Sequence, residues 1–324
     1  MKQVVYDQFG DPAKVLRVAE RDTPVLQDGQ ARVSVLRAPI NPSDLIQIAG
    51  QYGVRPKLPA VAGNEGLGRV SEVNGPGIEV GQLVLVPAGR GTWVSELIAD
   101  VRQLVPLPEG DVDQLSMLMI NPPTAHLLLT EYVSLQPGDW VIQSAANSAV
   151  GGYLVQLAKA LKINVCSVVR RESAVEGLKE LEADCILVDG PDLARRVKTA
   201  AGQPMKLAVD AVAGRTFGNL VDTLAPGGTI VGYGAMSGEP AQFQAAALIF
   251  RDIRVRGFWL AQWFETSSRE DQAKVYKDLT TAIAGGTLFA PVDRHFALSE
   301  ITEAVSHAGA GARTGKVLLA PNGL

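Results

Sequence analysis

Three short stretches hold residues whose type and spacing could do chemistry. In VIQSAANSAVGG, residues 141–152, an apolar pair leads into small residues and then into a helical pattern. Gly138 and Asp139 open the expected strand, which closes near Ser144, and the helix begins near Val150. A pyrophosphate could rest on that helix N-terminus, where free amides and the helix dipole favour an anion. Close approach demands small side chains, and Ala145, Ala146, Ser148 and Ala149 supply them. Asn147 tolerates a left-handed backbone and carries an amide donor, while Gly151 would keep the helix near the strand. Small residues at such a turn also serve plain packing, so the loop alone leaves both readings open.

The second stretch is the end of the following strand, where INVCSVV runs into Arg170 and Arg171 and the first acid is Glu172. An acidic side chain about 20 residues beyond the turn would hold the ribose hydroxyls of NAD. Arginines there suit a 2′-phosphate, through charge-assisted hydrogen bonds and stacking on adenine. A solvated strand end has the same composition, but together with the loop the pair favours NADPH. The third stretch is GQYG, where Tyr52 lies between Gly50 and Gly53 in an expected loop, an unusual place for a core tyrosine.

These residues need a scaffold, and the chain changes texture along its length. Up to about residue 110 it consists of short strand-like runs, ARVSVLRAPI, GLGRVSEV, GQLVLVPA and GTWVSELIA, separated by NPSD, NGPG and GRG. From about 120 strands alternate with helices. Strands are expected at 139–143, 164–169, 185–188, 207–212, 228–233 and 253–259, with a helix at roughly 269–285. A helix after the first strand would carry Val150, Leu154, Leu157 and Leu161 on one face. Repeated strand–helix units imply a doubly wound parallel sheet with right-handed crossovers. The expected fold class is therefore α/β, with a Rossmann sheet behind a β-rich domain.

Composition fits this picture. The 324 residues are 47% hydrophobic, with 33 Gly and 19 Pro dispersed, which suits a turn-rich globular chain. A net charge of −4 without blocks of like charge excludes a nucleic-acid surface and an acidic-membrane patch. The apolar segment 141–169 is broken by Gln143, Asn147, Gln156, Lys159 and Lys162, so it is not a membrane span. Cys166 and Cys185 sit in apolar runs and are expected as buried free thiols in a reducing compartment. MKQVVYDQFG alternates like a strand and shows no targeting pattern, so a cytoplasmic location is expected.

Further motifs, INPSDLIQIAGQYG (40–53), AVAGNEGLGRV (60–70), NPPTAHLLL (121–129) and FRDIRVRGFWLAQW (250–263), join NSAVGG, YGAM and TGKVLL. Together they resemble the trans-2-enoyl-thioester reductases, the zinc-free NADPH-dependent branch of the medium-chain dehydrogenase/reductase superfamily. The resemblance runs from about residue 4 to 320. It implies a GroES-like catalytic domain over 1–120, a Rossmann nucleotide-binding domain over 121–265 and a return segment over 266–324.

Zinc-dependent members of that superfamily need thiolate and imidazole ligands, yet this chain has Asn41, Pro42 and Ser43 at the first ligand position and Asn64 at the second. His126, His295 and His307 are scattered, and Asp44 and Glu65 would serve structural or packing roles. No metal is expected. Without a Lewis acid, reduction of a conjugated C=C is easier to arrange than carbonyl chemistry. The thioester already polarises the alkene, so hydride goes to Cβ and a proton to Cα.

The resemblance makes Tyr52 the catalytic tyrosine and Asn121 a cofactor contact, with Thr124 a polar neighbour. It makes Asn147, Ser148, Ala149 and Val150 the phosphate turn, and Arg170, Arg171 and Glu172 the segment around the 2′-phosphate. Tyr233, Gly234, Ala235 and Met236, with Phe258, Trp259 and Leu260, would flank the nicotinamide, and Lys316 would return from the tail to the cofactor. The last sheet strand, 253–259, would pair across a homodimer, although RGFWLAQW also reads as a buried aromatic strand. The chain departs from the family at His126 and Ala235, which could reshape the acyl pocket. The expected partner is an acyl thioester on CoA or acyl carrier protein. The alternatives are an NADPH-dependent quinone or enone oxidoreductase and a non-catalytic NADPH-binding protein.

Overall fold

The computed structural model describes residues 1–323 except 88 and 312. The chain divides into two compact units, Met1–Ile120 with Lys277–Leu324, and Asn121–Tyr276. The second boundary falls later than the expected 265/266. Helix Leu260–Thr266 and the start of helix Arg269–Ala284 stay together: Phe264 stacks on Tyr276, and Gln272 Nε2 donates to the Phe264 and Ser267 carbonyls.

In the first unit, strand Gln30–Pro39 alternates buried and half-buried residues and is the centre of a mostly antiparallel sheet. It pairs with Leu67–Asn74 and with Glu96–Asp100, each in antiparallel register. Its inward residues Val33 and Val35 meet Val70, Val84, Trp93 and Phe296 in one apolar cluster. The tail strand Lys316–Leu319 pairs at Leu318↔Pro39 and Leu319↔Ala38, and Ile40 N–H donates to the Val317 carbonyl. That register carries Lys316 to the start of the NPSD segment. The expected turn there is the N-terminus of a helix, Pro42–Ile48, with Asn41 as its N-cap and Pro at the first helical position, where its missing N–H costs nothing.

The second unit is a six-stranded parallel sheet. Its strands are β1 (Trp140–Gln143), β2 (Asn164–Val169), β3 (Cys185–Val188), β4 (Met205–Asp210), β5 (Leu224–Gly232) and β6 (Arg254–Gly257), in the order β3-β2-β1-β4-β5-β6. This is the doubly wound order whose direction reverses between β1 and β4. β5 reaches back to Leu224 because Met205 pairs with it across an irregularity in β4. β6 ends at Gly257 and is exposed throughout, so the buried aromatic strand reading fails: the chain turns at Phe258 and Trp259 into helix Leu260–Thr266.

Helix Ala149–Ala160 follows β1 and buries Gly151, Leu154, Val155 and Ala158. The expected stripe through Leu157 and Leu161 is rotated away, and Leu161 is 47% exposed. Small Gly151 and Ala158 let the helix lie close to β2 and to helix Asn121–Thr130, with Tyr153 and Leu154 buried beside them, while Leu157 is half-buried and Leu161 turns outward. Cys166 and Cys185 are buried free thiols facing each other across β2 and β3. Among the described residues no helix is long and apolar enough to cross a membrane.

Candidate active site

The turn after β1 is built by steric fit. Gly151 approaches the turn so closely that a Cβ there would lie 2.3 Å from the Ala146 carbonyl oxygen. Ser148 caps the helix, its Oγ accepting from Gly151 N–H at 3.1 Å, which leaves the first-turn amides of Ala149 and Val150 to face a ligand. The left-handed residue is not Asn147, as expected, but Ala145, with φ 47°. Asn147 is exposed, so its contribution reduces to its amide. The strain falls on Ala145 because the chain must reverse one residue after Ser144, which is fixed from two sides. Ser144 N–H donates to the Val209 carbonyl, and its hydroxyl donates to Asp210 Oδ1 at 2.6 Å.

Asp210, at the end of β4, is a site residue that the sequence reading misses. It is fully buried and accepts from Ser144 and from the amides of Val212 and Ala213, the latter the N-cap of helix Gly214–Val221. Burial raises its pKa, and these hydrogen bonds hold it back. Asp189, just past β3, accepts from Thr216 Oγ1 at 2.6 Å and Asn219 Nδ2 at 2.8 Å. Two carboxylates thus fasten one helix to the carboxyl edge of the sheet, where doubly wound folds bind ligands. The only local signal for them is an acid at the end of each apolar run.

Arg170 is exposed and Arg171 half-buried at the end of β2. Neither guanidinium has a hydrogen bond or ion pair among the described residues, an arrangement that leaves both for an anionic ligand. Glu172 begins a short 3₁₀ turn beside them. Tyr233 follows β5, and its buried phenol oxygen faces Ser148 without completing a well-formed hydrogen bond among the described residues. Burial raises its pKa, and the Asp210 charge adds to the rise. Gly234, Ala235 and Met236 after it are exposed, as is Trp259, while Phe258 and Leu260 are half-buried. Asn121 and Thr124 lie buried in the first turn of helix Asn121–Thr130. The close Gly151 approach, the free helix amides, the unpaired arginines and the under-bonded phenol fit a phosphorylated dinucleotide.

In the first unit, Tyr52 lies half-buried four residues beyond helix Pro42–Ile48. Gly50, at φ 76° against the Phe9 ring, ends that helix. Gln51 N–H then donates to the Ile46 carbonyl, and Gln47 Nε2 reaches the Val54 carbonyl at 3.4 Å, so the loop around Tyr52 is tied on both sides.

Next to this helix is a buried polar cluster. Asn41 Nδ2 donates to Glu65 Oε1 at 2.6 Å, and Lys316 Nζ donates to Asn41 Oδ1 at 2.5 Å and to the Ile40 carbonyl at 3.2 Å. Asp44 accepts from Asn41 N–H and from Asn64 Nδ2, both at 2.7 Å. Burial pushes Asp44 up to about 6, against the pull of those hydrogen bonds and of Lys316. Burial likewise raises Glu65 and lowers Lys316, and each holds the other's charge in place. Lys316 is 5% exposed, and its ammonium donates to Asn41 and Ile40: the tail strand's register sets it there. Among the described residues no three His, Cys, Asp or Glu side chains are grouped to hold a metal ion. His295 pairs with Asp113 and His307 with Asp293.

The alcohol dehydrogenase GroES-like domain model matches residues 27–109, and the zinc-binding dehydrogenase model matches 149–276. The chain is 38% identical to the mitochondrial enoyl-[acyl-carrier-protein] reductase of Mus musculus, covering 90% of this chain and 81% of that protein. It is 36% identical to that of Homo sapiens, over 94% and 84%. Among solved structures it is similar to the mitochondrial 2-enoyl thioester reductase heterodimer of Candida tropicalis, at 28% identity and TM-score 0.88, covering 98% of this chain and 99% of that one. One subunit type of that heterodimer is also solved with NADP and crotonyl-CoA. The chain belongs to the enoyl-[acyl-carrier-protein] reductase family of the medium-chain dehydrogenase/reductases.

Proposed function

We propose that this protein reduces the C2=C3 double bond of trans-2-enoyl thioesters with NADPH. The observation that carries the reading is its kinship with enoyl reductases over 90% of its length, in a chain whose own dinucleotide turn fits the cofactor. Bound NADPH supplies the hydride that goes to Cβ. This chain's groups do the rest. The amides of Ala149 and Val150 meet the pyrophosphate, helped by the Asn147 amide, and Arg170 and Arg171 meet the 2′-phosphate. Asn121 and Thr124 orient the cofactor, and Tyr233–Met236 with Phe258–Leu260 exclude water from its nicotinamide end. Tyr52 donates a hydrogen bond to the thioester oxygen as negative charge develops there, and it is our candidate source of the Cα proton.

Assays of NADPH oxidation with crotonyl-CoA, crotonyl-carrier protein and a small quinone panel test this. Turnover on one or both thioesters is expected, and their ratio decides between CoA and carrier protein. Quinone turnover with none on either thioester would establish the quinone reductase reading instead.

We also assign a homodimer formed through β6. This edge strand is exposed along its whole length, and Ile249, Phe250 and Val255 near it are 70%, 81% and 42% exposed. Open strand edges beside apolar side chains invite pairing. Light scattering is expected to give twice the chain mass, with Val255→Pro shifting it toward the monomer, because proline removes a ladder donor. A monomeric wild type would end this assignment. The cytoplasmic location is a further proposal, set against relatives named mitochondrial, and cell fractionation decides it.

A further inference from the structure

The Asn41 amide can hold only one orientation. Its oxygen is claimed by the Lys316 ammonium, so its nitrogen must face Glu65. Both Glu65 oxygens are then committed, Oε1 to Asn41 and Oε2 to the backbone N–H of Ile120 at 3.1 Å. Asn41, Glu65 and Lys316 are 2%, 0% and 5% exposed, so bulk water does not reach these groups and a lost bond leaves a buried polar atom at a cost. Thr92 Oγ1 fixes the Glu65 backbone as well, donating to its carbonyl at 2.6 Å. One ammonium–amide–carboxylate chain therefore ends on the amide immediately before Asn121, the first residue of helix Asn121–Thr130.

We propose that Glu65 is a positioning residue for the cofactor: held by Asn41 and Lys316, its carboxylate fixes the backbone at Ile120 and through it the placement of Asn121. This rests on the reading of Asn121 as an NADPH contact. A metal-ligand pair at positions 41 and 64 would bind these segments together by coordination. Here two asparagines do so by hydrogen bonds, Asn41 to Glu65 and Asn64 to Asp44.

The test combines a single substitution with an exchange of the two groups. Glu65→Gln supplies only one oxygen for the Ile120 amide and the Asn41 amide together. Its NADPH dissociation constant is expected to rise about tenfold, the size of one lost charge-assisted hydrogen bond, with the KM for the thioester unchanged. Adding Asn41→Asp rebuilds the chain in reverse. The carboxylate then at position 41 would accept from Lys316 and from the new amide nitrogen at position 65, freeing the amide oxygen at position 65 for Ile120. The double variant is expected to bind NADPH within about threefold of wild type, since the charge and the bond count are restored. A role confined to holding the first unit together would lower the melting temperature and leave the NADPH dissociation constant of the folded protein unchanged.

Wild-type affinity in Glu65→Gln overturns the proposal, as does a folded double variant that still binds weakly. Hydrogen exchange of the wild-type Ile120 amide provides a measurement independent of any variant. It is expected to be protected and slowed further by NADPH, and free exchange would equally overturn the proposal. Asn121→Ala separates the two layers: NADPH affinity unchanged in that variant removes the underlying reading of Asn121, whatever Glu65 does.

Discussion

Tyr52→Phe is expected to lower kcat on an enoyl thioester by about 10²-fold or more while leaving NADPH binding intact. Proton donation by a positioned side chain contributes roughly 10²- to 10⁴-fold, and this substitution removes the O–H and nothing else. The ring stays, and so do the supports of its loop: the helix end at Gly50, the Gln51 N–H to the Ile46 carbonyl, and the Gln47 side chain on the Val54 carbonyl. A fall in kcat with unchanged NADPH affinity and melting temperature therefore reports on the hydroxyl and not on a collapsed loop. Steady-state kinetics with crotonyl-CoA, beside a fluorescence titration with NADPH, makes the comparison. Unchanged kcat would take Tyr52 out of the chemistry. Lost turnover with intact cofactor affinity would also set aside the non-catalytic binding-protein alternative.

Replacing Arg170 and Arg171 together by alanine is expected to weaken NADPH binding by about 10²-fold and NADH binding only slightly. A hydrogen bond to a charged group contributes about 1.5–3 kcal/mol, and every 1.4 kcal/mol is roughly tenfold in affinity. Two such losses would exceed about 10²-fold, but Arg170 is exposed and its share is screened by solvent. The absence of any ion pair on either guanidinium among the described residues sharpens this expectation. No internal partner is abandoned when the arginines are removed, so stability should hardly change and the effect should fall on the ligand. Titrating both nucleotides against both proteins measures it. Equal losses for NADH and NADPH would mean that the arginines meet some other part of the cofactor.

Much of the second unit was legible because its signals are local. Short apolar runs bounded by turn residues and alternating with helical patterns point to strands of a parallel sheet, and β2 and β3 lie at 164–169 and 185–188 as expected. The Arg170–Arg171 pair was readable for the same reason, since it directly continues β2. Helix orientation was less legible. Periodicity proposes a stripe ending at Leu161, but the face that the helix buries runs through Gly151, Tyr153, Leu154, Val155 and Ala158. Asn147 meets a similar correction, because the strained position is decided by where Ser144 is clamped between β1 and β4, and that clamp comes from Val209 and Asp210.

Sequence by itself determined a small-residue turn after the first parallel strand, two arginines at the end of the next, and a β-rich unit ahead of a parallel sheet. Each depends on neighbours within one strand or one loop, so residue type and spacing suffice. Only the tertiary structure decided what Asp44, Glu65 and Lys316 do. Lys316 reaches Asn41 because the tail strand pairs with Gln30–Pro39 in one particular register, and a shift of one residue would turn its side chain to the opposite face. The charge of Lys316, its burial and its partners follow from that pairing of distant segments, which no local pattern in either segment encodes.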